Sequence, residues 1–545
     1  MNFVRAAWVS HLLLASALAR AFVPTSTQAQ VLQPSPSGST PAESPLSLTA
    51  SDGSGLQLVS LKARAVVEDP LAFTELHLVF HNPEPRQREG RFRITLPQGA
   101  TISRFAMKIN GRFMEGEVVE RAAARAAYED FLHRRQDPAL MENEAGNEFS
   151  ARVFPIPPSG DKELIVSYSQ ELVASRDPFR LPLRGLPKLG ELDIRVSVDS
   201  AERKPTTASN LGGASVQSEV IEVHKRDFQP DRDLEVTRRG ATTRAGLRHD
   251  NLVVARVQPT ANASEADAMR SLLVLVDTSA SRALGFEAEL DRLTRVLAVA
   301  AAARDFELQV LAFDQDAVLA YSGRASGWGA DDAQRLLKRR AEGASNLQLA
   351  LRRITEKYSG KSQFDRLLIV SDGVWTAGSV RNDELRAQLS GLAALGVQRA
   401  DVLAVGGIRD DARLGLLVRG NFPKDGLVLS DATDAGSVSQ RLLAATRSGL
   451  KVVVPGARWV WPERLDGVQA NDELLVYADL PGELPFSIRS AGQPARLADE
   501  SIRSVKRPLL ERAWVGARIA RLSQQRDTLA AGDNDLRAAL SKQII

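Results

Sequence analysis

Hydrophobic and polar residues alternate along the first part of the chain, in short runs that predict β-strands with one buried face. Runs such as LQLVSLKARAVVE, FTELHLVFHN and KELIVSY follow one another between Leu56 and Leu172. Asn110-Gly111 predicts a tight hairpin turn, and an Ala-rich segment near residues 121–134 predicts one helix among the strands. We therefore expect residues 56–174 to form an antiparallel β domain with one inserted helix.

The pattern of hydrophobic residues changes at Met269, where apolar runs begin to alternate with helical patterns. The apolar runs read LLVLV, ELQVLAF, RLLIVSD, ADVLAVG and GLVLS. The helical patterns lie near residues 287–304, 331–340, 347–358, 383–395 and 436–445. Strands that alternate with helices in this way form a parallel sheet with helices on both faces. We therefore expect a doubly wound α/β domain over residues 269–447.

The segments beside these two domains are less regular. Residues 175–268 contain short alternating runs, which predict a β-rich connecting region. Residues 448–505 return to β patterns that are expected to rejoin the earlier strands, which would make the α/β domain an insertion. Residues 506–545 predict a pair of amphipathic helices. The overall fold class is thus α/β plus β.

The N-terminus has the features of a signal peptide, predicted for residues 1–29. Arg5 precedes a short apolar core at residues 12–18, and a TQA sequence ending at Ala29 is an acceptable cleavage site. A short buried helix is the alternative, because the apolar core is imperfect. The Pro-, Ser- and Gly-rich residues 30–55 then predict a flexible linker.

Composition narrows the possible functions. The 70 basic and 67 acidic residues give a net charge of only +3, and aromatic residues make up 5% of the chain. Both values disfavour a nucleic-acid partner that binds by charge or by base stacking. The absence of cysteine excludes disulfides, thiol catalysis and cysteine-ligated metals. After the predicted signal peptide, no stretch approaches the roughly 18 apolar residues needed to span a bilayer, so we expect no transmembrane segment.

The strand hairpins, the Ala-rich segment with Tyr128 and the sequence RVFPIPPSGDKELIVSY resemble the VIT domain of inter-alpha-trypsin inhibitor heavy chains. The resemblance covers about 115 residues, from Leu56 to Leu172. It implies that a von Willebrand factor A domain follows, as in that family, and we expect a bacterial-type homologue. Family members continue past the last helix into a further strand, so we expect that the sequence ending at Ile545 is truncated.

A candidate metal site follows the first apolar run of the α/β domain. Asp277, Ser279 and Ser281 form a D-x-S-x-S sequence where this strand ends. Carboxylate and hydroxyl oxygens at the carboxyl end of such a strand suit Mg²⁺. The resemblance to A domains implies a MIDAS-type ion site, completed by Ser345, where the family has Thr, and by Asp372. Mn²⁺ or Ca²⁺ is also possible, and the alternative is that Asp277 and Ser279 cap the following helix.

The function that these features imply is capture of a ligand. A bound ion would take up an acidic group of a protein or extracellular-matrix partner. Trp328, Trp375 and Arg409 could lie on rim loops and contact this partner, but packing or solvation is the favoured interpretation of each. We expect no enzymatic activity, because all six histidines lie outside the α/β domain and the H-E-x-x-H and G-x-S-x-G motifs are absent.

The chain is expected to be exported, to the periplasm, the cell surface or the medium. An envelope scaffold whose A domain needs no ion is the alternative function.

Overall fold

The computed structural model describes most of the chain from Ser44 onwards. The described residues are 44–116, 146–199, 208–212, 214–217, 219–237, 245–259, 265–358, 364–378, 381–430, 433–490, 502–506, 509–529 and 533–544. The predicted signal peptide and the predicted helix near residues 121–134 lie outside them. No helix within these ranges combines the length and the apolarity needed to cross a bilayer.

The first domain is built from two antiparallel sheets. Its strands are β1 (Leu46–Ala50), β2 (Gln57–Glu68), β3 (Leu71–Asn82), β4 (Arg88–Thr95), β5 (Ala100–Ile109), β6 (Arg112–Glu115), β7 (Glu148–Ile156) and β8 (Gly160–Glu171). Alternate residues of β3 are buried, as the sequence pattern predicted. The β5–β6 hairpin turns at Asn110 and Gly111, both of which have positive φ. This is the conformation that an Asn-Gly turn favours, so the predicted hairpin is confirmed.

One prediction for this part of the chain was wrong at its edge. Residues 46–50, assigned to the flexible linker 30–55, form β1 and pair with β4. The Pro- and Ser-rich residues before them hid a five-residue alternation, LSLTA, whose three apolar or small side chains are buried. This strand completes the three-stranded sheet β1-β4-β7.

The predicted connecting region divides its strands among three sheets. It contains β9 (Phe179–Leu181), β10 (Leu189–Asp199), β11 (Ala208–Ser209), β12 (Ser215–Gln217), β13 (Val220–Phe228), β14 (Leu234–Thr237), β15 (Gly246–His249) and β16 (Leu252–Val257). One of the three is the three-stranded sheet β11-β14-β9. Strand β10 pairs in parallel with β2 and extends the first domain into an eight-stranded sheet of order β12-β13-β10-β2-β3-β8-β5-β6. Strands β15 and β16 instead belong to a sheet completed by the C-terminal part of the chain.

The α/β domain has the predicted alternation. Its elements are β17 (Ser271–Asp277), α1 (Phe286–Ala303), β18 (Glu307–Phe313), β19 (Ala317–Arg324), α2 (Ala330–Arg339), α3 (Leu347–Lys357), β20 (Arg366–Ser371), α4 (Asn382–Ala394), β21 (Arg399–Ala404), α5 (Asp411–Val418), β22 (Val428–Ser430) and α6 (Ala435–Leu443). The strand order is β19-β18-β17-β20-β21-β22, and all pairs except β18–β19 are parallel. Strand β19 and helix α5 were not predicted. Strand β19 begins with the apolar run AVLAY, which was an available signal, but it lies at the edge of the sheet and none of its residues is buried.

Both faces of this sheet are covered, which makes the domain doubly wound. One hydrophobic core joins Val274, Val276 and their neighbours to α1, α2 and α6. The other joins Leu273, Leu275 and their neighbours to α3, α4 and α5. Successive residues of β17 therefore point into opposite cores, which explains why the strand is an uninterrupted apolar run.

The C-terminal segment returns to the β structure that precedes the α/β domain. It contains β23 (Leu450–Val453), β24 (Trp459–Trp461), β25 (Arg464–Leu465), β26 (Leu474–Asp479), β27 (Arg489–Ser490), β28 (Ile502–Ser504), α7 (Leu509–Thr528) and α8 (Asn534–Ile544). Strand β26 pairs with β16 in a sheet of order β24-β26-β16-β15-β28. The expectation that these strands rejoin the earlier ones is confirmed, and the α/β domain lies between β16 and β26 as an insertion.

Candidate metal centre

Three loops of the α/β domain meet at the carboxyl edge of its sheet. Strands β17 and β20 are parallel neighbours, with Val276 paired to Val370, so Asp277 and Asp372 follow the same edge. Ser345 lies just before α3, and its carbonyl accepts hydrogen bonds from the N–H groups of Thr376 and Ala377 in the loop after Asp372. The predicted residues are thus drawn together by the parallel strands and by backbone bonds between their loops.

Asp277 is held by three donors at the centre of this cluster. Its Oδ2 accepts hydrogen bonds from Ser345 Oγ and Ser371 Oγ, both at 2.8 Å, and its Oδ1 accepts the Ser279 N–H at 3.0 Å. The carboxylate is 1% exposed. Ser371 was missed in the sequence, although a hydroxyl residue that ends the apolar run RLLIVS was the available signal.

Of the remaining predicted residues, the exposed Ser281 links the buried Ser279 and Asp372. Ser279 Oγ lies 3.1 Å from Ser281 Oγ, and Ser281 Oγ donates to Asp372 Oδ2 at 2.9 Å. The N–H of Val374 donates to Asp372 Oδ1 at 2.8 Å. Ser281 is exposed while Asp372 is buried, so the cluster has one side open to water.

Helix capping does not explain these side chains. Helix α1 begins after Gly285, and no side chain caps it. Ser279 precedes a short 3₁₀ turn at Ala280–Arg282, but its side chain makes no capping hydrogen bond. The hydroxyls therefore face the cluster and not the orphan amides of a helix.

Arg282 is a further member of the cluster that the sequence did not reveal. Its Nη2 lies 2.8 Å from Asp372 Oδ2 and donates to the Ser281 carbonyl at 3.1 Å, while its Nη1 donates to Glu289 Oε1 at 3.1 Å. The side chain is 5% exposed. A buried guanidinium thus supplies positive charge at the carboxylate assigned to the ion.

The electrostatics of Asp372 reflect two opposing influences. Burial raises the pKa of its carboxyl above the usual value, and the nearby negative charge of Asp277 adds to the rise. The Arg282 guanidinium and the hydrogen bonds from Val374 and Ser281 act in the opposite direction. Burial has the larger effect, so the ionised form of this carboxyl remains costly even with the Arg282 guanidinium beside it.

The donor set fits a hard divalent cation. Its members are two carboxylates and three hydroxyls, all oxygen donors of the kind that Mg²⁺ prefers. Within the described ranges no group of three or more His, Cys, Asp or Glu side chains is placed to hold a metal. An ion at this edge would therefore depend on the serine hydroxyls as well as on Asp277 and Asp372, and it would have to share Asp372 with Arg282.

The three candidate rim residues occupy different places. Trp328 is 6% exposed and lies at the opposite edge, because β19 runs antiparallel to β18 and returns the chain there; its Nε1 donates to Thr294 Oγ1 at 3.1 Å. Trp375 and Arg409 are in loops at the carboxyl edge, but both are buried. All three are packed, which is the favoured interpretation of the sequence.

The first domain touches the α/β domain beside this cluster. Asn147 Nδ2 donates to the Gly407 carbonyl at 2.7 Å, and Asn147 Oδ1 accepts the Arg409 N–H at 2.9 Å. The next residue, Asp410, donates its N–H to the Asp372 carbonyl at 2.8 Å. A continuous set of hydrogen bonds thus connects the first domain to the loop that carries Asp372.

Comparisons with known proteins give one family match, to the first domain, and a set of solved structures of low similarity. A family described as the vault protein inter-alpha-trypsin (VIT) domain matches residues 58–168. Comparison with curated protein sequences gave no match. Similar solved structures include an aerotolerance-related membrane protein from Bacteroides fragilis (13% identity, 31% of this chain and 95% of that one, TM-score 0.25). A second is a von Willebrand factor type A protein from Catenulispora acidiphila (16% identity, 55% of this chain and 82% of that one, TM-score 0.27). A third is the ArnB paralog VWA2 from Sulfolobus acidocaldarius (14% identity, 56% of this chain and 89% of that one, TM-score 0.25).

These TM-scores are too low to support a fold assignment, which depends instead on the chain's own strand order and on the helices that cover both faces of its parallel sheet. Residues 58–168 therefore match the VIT family, and an inserted, doubly wound α/β domain follows them in the chain; this insertion is named the A-type domain for the resemblance seen in its sequence.

Proposed function

We propose that this chain is a non-enzymatic interaction protein that captures an acidic group of a partner through a divalent cation. The cation, Mg²⁺ by preference, would be held by Asp277, Ser279, Ser281, Ser345 and Asp372. The observation that carries the proposal is the meeting of these oxygen donors, from three separate loops, at the carboxyl edge of one parallel sheet. Such edges are the usual ligand sites of α/β sheets.

Each side chain has a distinct part in this proposal. Ser371 fixes the direction of the Asp277 carboxylate, and the Val374 N–H does the same for Asp372, so little ordering is needed when an ion enters. The exposed Ser281 leaves the approach to the site open to solvent. When bound, a divalent cation would supply positive charge and a free coordination position for a carboxylate of the partner.

The proposal extends to where the protein acts and what it binds. We infer export from the signal-peptide pattern of residues 1–29, and a protein or matrix partner from the way the site would attract an exposed Asp or Glu. The two carboxylates would only balance the charge of a divalent cation, and the three hydroxyls are neutral. The bound ion would therefore still attract an anionic ligand. Neither His nor Cys occurs in the cluster to support acid–base or nucleophilic chemistry.

An envelope scaffold whose A-type domain needs no ion is the second candidate. The Arg282–Asp372 ion pair favours it, because a guanidinium already offsets the buried charge of Asp372. In that case the cluster would stabilise the loops at the sheet edge, and the surfaces that contact partners would lie elsewhere.

Calorimetric titration of the full chain with Mg²⁺ and Mn²⁺ separates the two candidates. The capture proposal requires that one ion binds, and that Asp277→Ala and Asp372→Ala abolish binding while circular dichroism shows an intact fold. Asp316→Ala is the matched control, since this exposed carboxylate lies at the same sheet edge outside the cluster. Absence of ion binding by the wild-type chain, with no shift in its melting temperature, would leave the scaffold candidate.

A further inference from the structure

Arg282 has a role at the ion site beyond the donor set, and this inference rests on the proposed function. We infer that its guanidinium is an intramolecular competitor of the divalent cation, so that ion binding is an exchange of one positive group for another at Asp372. The contact that carries the inference is the 2.8 Å ion pair between Arg282 Nη2 and Asp372 Oδ2. The same oxygen is a proposed ligand of the ion.

The guanidinium occupies a place that the fold leaves open for it. Gly406, at φ +86°, faces the Arg282 side chain, and a Cβ at that position would lie 2.5 Å from Nη1 and 2.7 Å from Nη2. Any other residue at 406 would therefore collide with the guanidinium. Gly406 follows β21, the strand next to β20, so the sheet edge itself provides the space.

Glu289 gives the guanidinium a second carboxylate. The Glu289 side chain is 11% exposed and accepts from Nη1 at 3.1 Å, from the first turn of α1. Arg282 is therefore shared between Asp372, a proposed ion ligand, and Glu289, which is outside the donor set. If the guanidinium leaves Asp372, it retains Glu289 as a counter-charge, so displacement by an ion does not leave it buried and unpaired.

Simultaneous binding of both cations to Asp372 Oδ2 is unfavourable. A Mg²⁺–oxygen bond is about 2.1 Å long, so an ion and a guanidinium on one oxygen would bring like charges close together in a buried site. Arg282 thus lowers the affinity of the site for a free ion. An incoming carboxylate of a partner relieves this competition, because it adds negative charge that both cations can share.

Titration of the full chain with Mn²⁺ and Mg²⁺ tests the exchange. Arg282→Gln removes the competing charge, and we expect it to bind Mn²⁺ at least tenfold more tightly than the wild type. Arg295→Gln is the matched control: it removes the same charge from α1, but at an exposed residue that pairs with Asp291. We expect this control to bind the ion as the wild type does. Equal or weaker binding by Arg282→Gln than by the wild type would overturn the inference.

A second variant, Glu289→Gln, leaves residue 282 unchanged, and we expect it to change the affinity for the ion in the opposite direction. Glu289→Gln removes the alternative partner, so the guanidinium stays on Asp372 and Mn²⁺ binding weakens several-fold. This weakening must be largely absent when Glu289→Gln is combined with Arg282→Gln. Unchanged or tighter binding by Glu289→Gln, or an equal weakening in both backgrounds, would contradict the exchange. This variant also decides the question if Arg282→Gln does not fold.

The outcomes separate the inference from the proposed function. If the wild type and Arg282→Gln bind the ion equally, and Asp277→Ala abolishes binding, the capture site stands and the competition does not. If only Arg282→Gln binds, the competition is supported and the wild-type chain does not depend on an ion. If no variant binds, both are overturned.

Discussion

Arg256 and Asp69 form a buried ion pair between the strand that leads into the A-type insertion and the VIT domain. Arg256 Nη2 lies 2.6 Å from Asp69 Oδ1, and Nη1 lies 2.9 Å from Oδ2. The same guanidinium donates to the carbonyls of Leu172 and Val173, and it is fully buried. Strand β16 is thereby fastened to the end of the VIT domain just before the insertion begins.

Loss of one partner of this pair is expected to destabilise the protein strongly. Asp69→Asn leaves the buried guanidinium with the more distant Glu473 carboxylate, 3.9 Å from Arg256 Nε, as its counter-charge, which costs about 3 kcal/mol of the free energy of unfolding. Urea denaturation at neutral pH measures the change. Asp291→Asn removes an exposed partner of Arg295 and is expected to have little effect. If both variants are equally stable, the pair contributes nothing beyond a surface contact.

A second buried network, at the amino edge of the A-type sheet, predicts a dependence on pH. Asp267 lies 2.5 Å from Lys424, 3.2 Å from Arg366 and 3.5 Å from Arg399. Burial alone would raise the pKa of Asp267, but the hydrogen bond and charge of Lys424 and the charges of the two arginines outweigh it and lower the pKa below 3.8. The stabilisation is therefore fully present above pH 3.8 and is lost as the pH falls through the lower value in the folded state.

We expect Asp267→Asn to lower the free energy of unfolding by about 3 kcal/mol at pH 7, because Arg366 and Arg399 then share the single buried carboxylate of Asp401, 2.8 Å from each. The difference from the wild type should shrink as the pH falls below about 4, where the native carboxyl also becomes neutral. Urea denaturation of both proteins between pH 7 and pH 3 checks this, with Asp316→Asn as an exposed control. A difference that stays constant over this range would contradict the ionic explanation.

Ser371 is expected to affect the ion site without being one of its five proposed ligands. Ser371→Ala removes one of the two hydroxyl donors to Asp277 Oδ2, so the carboxylate loses part of its orientation. Loss of such an outer contact typically weakens metal affinity about tenfold. Mn²⁺ titration measures the effect. Ser322→Ala, on the exposed edge strand β19, is the control that should leave the affinity unchanged.

Asn147 is expected to restrain the loop beside Asp372. Asn147→Ala removes the acceptor of the Arg409 N–H and the donor to the Gly407 carbonyl. Each such bond contributes about 1 kcal/mol, so the Arg409 amide should exchange its hydrogen roughly five to ten times faster. Asn210→Ala is a matched control, since Asn210 also bridges two backbone groups, those of Asp233 and Glu235. Unchanged exchange at Arg409 would show that other contacts order the loop.

The residues that could be predicted from the sequence are those whose position follows from a periodic element. Asp277 and Asp372 end buried apolar runs, and parallel strands bring such ends to one edge. Arg282 could not be found in this way, because an arginine that follows a hydroxyl-rich loop has the same local pattern as a solvated helix start. Its burial depends on Gly406, which is distant in sequence, and on Glu289, which follows it by seven residues.

The place of Trp328 follows from strand β19, which was not predicted. The apolar run AVLAY that opens this strand takes the chain across the sheet once more before Trp328. An antiparallel strand reverses the edge at which the following loop lies. Trp328 is therefore at the edge opposite the cluster, where it is packed and does not contact the rim.

The insertion of the A-type domain between β16 and β26 has a consequence for the order of folding. These strands pair although more than 200 residues separate them in the chain. Within the insertion, Ala266 pairs with Ala444, the Asp267 N–H bonds to the Leu443 carbonyl, and the Ala445 N–H bonds to the Glu265 carbonyl. A folded A-type domain thus brings its own two ends together.

Each halving of an open loop lowers the entropic cost of closing it by about 0.6 kcal/mol. The folded insertion therefore promotes formation of the neighbouring sheet. Because its two ends lie close together, it brings β16 and β26 together as a short connection would. Assembly of the β16–β26 sheet should accordingly follow that of the inserted domain, and damage to the insertion should impair a sheet with which it shares no strand.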